Sequence, residues 1–207
     1  WARGRGAGLA QMAGRRQAAL AVVGRGLDDD GLRKRLDEEK ERGFQMFDFS
    51  SNCIAGAGAK AIADLALQCF PTLQIVKLHK NSLGDAGAEA LAPLARRPEL
   101  RELHLSHNGI GSDGARALFR AARDGFRERR DPLFVRLEHN RIQGVASLVL
   151  EELERSDFCC RYDEQCTRHA CARGRLLHLP LVWKQEGGEE KRDREELEGV
   201  SPGRGGA

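Results

Sequence analysis

The sequence predicts an α/β fold. It should be a short curved solenoid of about four strand–helix repeats, with parallel strands on the concave side, helices on the convex side and irregular flanks. Three observations predict it. A frame of apolar residues at eight, five and three positions before an Asn, with one more two positions after it, recurs through the middle of the chain. The residues leading to each Asn alternate in polarity, as a strand with one buried face does. A Gly-Ala pair then opens an Ala/Leu-rich segment with helical spacing. A fixed period of this size is the signature of stacked repeats.

The two clearest copies run Leu73, Val76, Leu78, Asn81, Leu83, Gly87-Ala88 and Leu100, Leu103, Leu105, Asn108, Ile110, Gly114-Ala115. Phe44, Phe47, Phe49, Asn52 and Ile54 fill the same frame, and Val135, Leu137, Asn140 and Ile142 fill it with Pro132 in the first slot. The Asn steps are 29 (52 to 81), 27 (81 to 108) and 32 (108 to 140), the last lengthened by the charged insert Arg127-Glu-Arg-Arg-Asp131. These residues resemble the ribonuclease-inhibitor-like leucine-rich repeat, L-x-x-L-x-L-x-x-N-x-I/L-G-x-x-G-A, over about residues 44 to 156. The resemblance implies a horseshoe-like array that binds a protein partner and performs no catalysis.

Taken in order, residues 1–43 read as a basic segment and a charged capping helix. Residues 1–26 hold Arg3, Arg5, Arg15, Arg16 and Arg25 and no acid. They read as a frayed or helical lead-in; an organelle import segment is the alternative. Asp28 to Arg42 reads as a helix with its acids at the favourable N-terminal end, a Glu38–Arg42 pair, and Leu32 and Leu36 closing the first coil. Residues 44–157 hold the repeats, with return helices at about 57–69, 86–96, 113–126 and 144–155. Asp85 and Ser112 are placed as N-caps. Gly87 and Gly114 suit a close approach of helix to strand. Asn52, Asn81, Asn108 and Asn140 form a ladder whose amides bond turn backbone. With only 5% aromatic residues, the core is expected to be aliphatic.

Alternation leaves three rows on the concave face. The first is Met46, Ile75, Glu102 and Phe134; the second Asp48, Lys77, His104 and Arg136; the third Ser50, His79, Ser106 and Glu138. Neighbouring strands about 4.8 Å apart make each row contiguous. Apolar anchors among charges suit protein recognition, so Met46, Asp48, Ile75, Lys77, His79, Glu102, His104, Phe134, Arg136 and Glu138 are the candidate partner-binding residues. Exchanging Lys77 and Arg136 is expected to leave stability unchanged. His79, His104 and His107 lack the companions that catalysis needs.

Residues 158–184 are a Cys/His-rich cap or zinc-binding segment. Cys160-x5-Cys166-x4-Cys171 resembles the first three ligands of the Cys-Cys-Cys-His zinc finger of poly(A)-RNA-binding proteins. Where that family has its His this chain has Arg175, and Leu177 replaces the usual aromatic. His178 is then the fourth ligand, with His169 or Cys159 as alternatives. The resemblance implies zinc and RNA recognition aided by Arg161, Arg168, Arg173 and Arg175. Two other readings stay open: a plain cap, in which Leu176, Leu177, Leu179, Leu181, Val182 and Trp183 cover the coil of Leu137, or a disulfide. Residues 185–207 are Gly/Glu/Arg-rich and read as disordered, with 191–198 a transient helix.

A formal charge of +3 with 31% charged residues is near balance and favours no class of polymer. No apolar run approaches the about 20 residues a membrane span needs. The cysteines cluster rather than spread, which points to a reducing compartment, the cytoplasm. The first reading is therefore a monomeric protein-interaction module without cofactor. The alternative is a zinc-dependent RNA-binding protein with the repeats as scaffold.

Overall fold

A computed structural model describes residues 19–161, 166, 171 and 173–199. Its strands are β1 (Ala19–Ala21), β2 (Met46–Asp48), β3 (Ile75–Lys77), β4 (Glu102–His104), β5 (Leu133–Arg136), β6 (Phe158–Cys159) and β7 (Leu177–His178). They form one parallel sheet in the order β1-β2-β3-β4-β5-β7-β6. Helices α1 (Asp29–Glu39), α2 (Gly56–Cys69), α3 (Gly84–Arg96), α4 (Ser112–Asp124), α5 (Val145–Glu152) and α6 (Glu190–Glu198) complete it. Each strand is short because the coil must turn back at its Asn. Phe47, Val76, Leu103 and Val135 are register partners, all buried, so the period-two apolar positions stack as one core. The first coil is aromatic where an aliphatic core was expected: Phe70 meets Phe44 and Phe47 edge-on at 5.7 and 5.2 Å. The eight phenylalanines are few but unevenly spent.

The amide ladder is the main polar element. Asn81, Asn108 and Asn140 each donate through Nδ2 to a carbonyl of their own coil and to one of the coil before. The pairs are Leu78 and Phe49, Leu105 and Leu78, and Leu137 and Leu105, all at 2.9–3.0 Å. The residue before each Asn (Ser51, Lys80, His107 and His139) lies in the left-handed region, φ +54 to +58°. Such a backbone costs roughly 1 kcal/mol or more for a side chain other than glycine, and the amide bonds on either side hold it.

The ladder extends one coil beyond the four repeats at each end. Before them, Leu20 pairs with Phe47, and Arg25 stands in the Asn slot. The N–H groups of Arg25 and Leu27 donate to Asn52 Oδ1 at 3.1 and 3.0 Å. After them, Gln185 accepts from Asn140 N at 3.2 Å and donates to Leu137 O at 3.0 Å.

Several local expectations change. The caps of α2 and α4 come from the neighbouring coil. Asp85 Oδ1 accepts the N–H of Gly111 and of Gly114 at 2.7 and 3.0 Å, and Asp29 Oδ1 accepts that of Ala55 at 2.8 Å. Gly114 therefore serves helix-to-helix approach, not helix-to-strand: a Cβ there would lie 2.7 Å from Asp85 Oδ1 and 2.9 Å from Ala88 Cβ. In α1 Arg42 pairs with Glu39 rather than Glu38. The charged insert is structural: buried Arg129 donates to the carbonyls of Leu100, Ala95 and Arg97 at the end of α3. Its burial lowers the guanidinium pKa to about 10.

Residues 185–199 are ordered where disorder was expected. Helix α6 buries Leu197 and Asp193 against α5, the Arg194 guanidinium lies 5.3 Å over Trp183, and Arg155 donates to the carbonyls of Leu197 and Glu196. One apolar residue per helix suffices when the rest of its anchoring is polar. The lead-in before Ala19, Arg168, His169 and residues 200–207 lie outside the described residues. No helix among those described is long and apolar enough to cross a membrane.

Candidate functional site

The concave strands open on a hollow of about 430 Å³. Eight of its twelve lining residues are Lys, Arg or His, against two acids, Asp48 and Glu138. Since the whole chain carries only +3, this bias is local.

Of the second row, Asp48, Lys77, His104 and Arg136 are half-buried and face the hollow. Lys77 Nζ lies 3.9 Å from Asp48 Oδ2. Arg136 donates to Glu138, a buried carboxylate. Removing Arg136 would strand that acid, so the expectation that Arg136 can be exchanged at no cost to stability does not hold. His104 Nε2 meets the Glu102 carboxylate at 3.0 Å.

The first row is less open than alternation implied. Met46 and Ile75 are half-buried, but Glu102 is 1% exposed and Phe134 5%. The strand β7 is the reason for Phe134, since it places His178 beside it in register, while the His104 ring packs on the other side at 5.9 Å. Four repeats read alone would have left β5 at the sheet edge. In the third row Ser50, Ser106 and Glu138 are also buried and only His79 remains half-open.

A row missed in the sequence replaces them. Lys80, His107 and His139, one position before the Asn, are exposed and line the hollow with Lys184. Their left-handed backbone throws these side chains onto the concave side, breaking strict alternation. The His107 and His139 rings stack at 4.4 Å, 13° from parallel. A basic or imidazole residue before three consecutive Asn residues was the available signal. Burial lowers the pKa of His79, aided by His104, Lys80 and Arg136 and opposed by Asp48. Burial, then His139 and Lys80, lowers that of His107. Both shifts favour the neutral ring, and a nearby anion would act in the opposite sense.

The cysteines form a second cluster. Cys159, Cys171 and His178 each offer a ligand atom, all within 4.8 Å of one another, and Cys166 Sγ lies 3.7 Å from Cys171 Sγ. Cys160, the expected first ligand, belongs to the apolar core instead. The thiol that faces Cys171 and His178 is that of Cys159. Leu177, Leu179, Val182 and Trp183 are buried in the same core as Leu137, closing its coil. Of the arginines suggested for RNA, Arg175 is tied to Ser156 O at 2.8 Å.

Residues 47–63, 71–92 and 98–119 match the family model described as Leucine Rich repeat. A comparison with curated proteins finds no match.

Proposed function

The central coils of this chain are leucine-rich repeats, a family of protein-interaction scaffolds in general, and from that premise we propose that the concave hollow binds an acidic segment of a protein partner. The observation that carries this reading is the excess of basic and imidazole side chains in the hollow, where both acids already have basic neighbours within it. Lys80 and Lys184 project charge with only a weak partner between them, Lys184 reaching Glu190 at 3.9 Å. An extended chain laid across the strands would run its carboxylates along the rows of Lys77, His79 and Lys80, and Met46 and Ile75 would take an apolar neighbour. Electrostatic complementarity of this kind sets specificity and association rate more than raw affinity. The module needs no chemistry of its own.

The test is fluorescence anisotropy with labelled Asp/Glu-rich, neutral and Lys-rich peptides and a single-stranded RNA oligonucleotide. The expected result is salt-sensitive binding of the acidic peptide alone. Lys80→Glu with Lys184→Glu should weaken it about tenfold with Tm unchanged. Acidic-peptide binding that survives the double reversal, or tighter binding of the RNA, overturns the reading.

A further inference from the structure

The sheet register carries the first concave row beyond the repeats. Phe134 is beside His178 on β7, and His178 is beside Cys159 on β6. Over this end of the row Cys166 and Cys171 face each other across an antiparallel bridge. Ligand atoms of Cys159, Cys171 and His178 lie within 4.8 Å of one another, and Cys166 adjoins Cys171 across the bridge. The Cys166 and Cys171 sulfurs are 3.7 Å apart. Zinc–sulfur bonds of about 2.3 Å at tetrahedral angles place sulfurs about 3.8 Å apart, whereas a disulfide needs about 2.05 Å. The 3.7 Å spacing is that of two ligands on one ion.

The surroundings fit the same species. Cys159, Cys166 and His178 are buried and Cys171 half-buried. Four protein donors would fill a tetrahedral zinc and leave no open position, which is the mark of a structural rather than a catalytic metal. Gly174 N donates to the Cys171 carbonyl at 2.9 Å in a turn that Gly174 closes at φ +65°. Soft sulfur donors with one imidazole select zinc over hard cations.

We propose that Cys159, Cys166, Cys171 and His178 bind one zinc ion that fastens the Cys166–Cys171 bridge to β6 and β7 and closes the C-terminal end of the solenoid. Binding releases the three thiol protons to solvent, so the site strengthens as pH rises. Cys160, whose side chain is in the core, takes no part. The site is separate from the basic hollow and stands whether or not that hollow binds an acidic peptide.

The experiment uses the full chain, reduced and freed of metal, titrated with Co(II) and then Zn(II). Intense thiolate-to-cobalt charge transfer and tetrahedral d–d bands should saturate at one ion per chain and vanish on adding zinc. Cys159→Ser, Cys166→Ser and Cys171→Ser should each lose the bands, and Cys160→Ala should keep them in full. His178→Cys should retain one ion, with charge transfer raised in proportion to four thiolates instead of three. This gain and the Cys160→Ala arm decide the matter even if the serine variants fold poorly. No saturable cobalt spectrum, loss in Cys160→Ala with retention in Cys159→Ser, or a Cys166–Cys171 disulfide in native protein overturns the proposal.

Discussion

Replacing Asn140 by Ala tests the amide ladder where it is densest. Asn140 is fully buried. Its Oδ1 accepts the N–H groups of Asn108 and Ile110 at 2.9 and 3.1 Å, and its Nδ2 donates to Leu105 O and Leu137 O. The four bonds are not equal. Each carbonyl keeps a second amide donor, Asn108 Nδ2 for Leu105 and Gln185 Nε2 for Leu137, so losing the Asn140 donor costs only about 0.5 kcal/mol apiece. The two N–H groups have no such reserve, and each orphaned donor costs about 1–1.5 kcal/mol. Asn140→Ala should therefore lower unfolding free energy by about 3–4 kcal/mol. Asn108→Ala is the control. Its Oδ1 accepts no N–H among the described residues, and the Leu78 and Leu105 carbonyls keep Asn81 and Asn140. The cost should stay near about 1–2 kcal/mol. Urea unfolding followed by circular dichroism, with equal slopes for all variants, gives both values. Equal losses for the two, or less than about 1 kcal/mol for Asn140→Ala, would refute the claim that orphaned N–H groups set the cost.

Three further outcomes follow from other contacts of the fold. Arg120, then Arg116, hydrogen-bond the Glu152 carboxylate and lower its pKa from 4.5 to about 2; a depressed carboxylate stabilises above its unfolded pKa. That stability should drain away as pH falls from about 4.5 to about 2, and a Tm-versus-pH series should show a shallower acid slope for Glu152→Gln. The lowered His79 and His107 pKa values act on opposite sides of two equilibria. Lowering pH through 6.5 should reduce stability, because the unfolded chain takes up those protons first. It should also tighten acidic-peptide binding, and His79→Gln with His107→Gln should flatten both responses. Gly114→Ala should cost about 1–3 kcal/mol by overpacking, because its Cβ would meet the Asp85 backbone at 2.9 Å; thermal denaturation measures it.

The repeats were legible because alternation and the Asn period are imposed by geometry that every coil shares. The ends were not, because there the signals are broken. Arg25 sits in the Asn slot, so Leu20, Val22 and Leu27 lacked the residue that would have keyed them as a coil. Gln185 performs the amide's work from an irregular turn in which Leu181 carries φ +56°. In the face, Glu102 and Glu138 looked solvated by position, yet His104 and Arg136 cover them. Alternation says which way a side chain leaves the backbone and nothing of what lies above it. The cysteines show the same thing: finger spacing ignores which side a side chain leaves on, and it is the Cys159 thiol that lies near Cys171 and His178 while Cys160 packs in the core.

The turn residues Ser51, Lys80, His107 and His139 have a consequence of their own. Each is tethered by backbone on both sides yet contributes nothing to the packed interior, so its identity can change coil by coil without disturbing the stack. Glycine or asparagine there would relax the chain and blank a contact, while lysine or histidine writes charge into the cleft. A protein built this way can acquire a new ligand preference through Lys80, His107 and His139, the three of these positions that line the hollow.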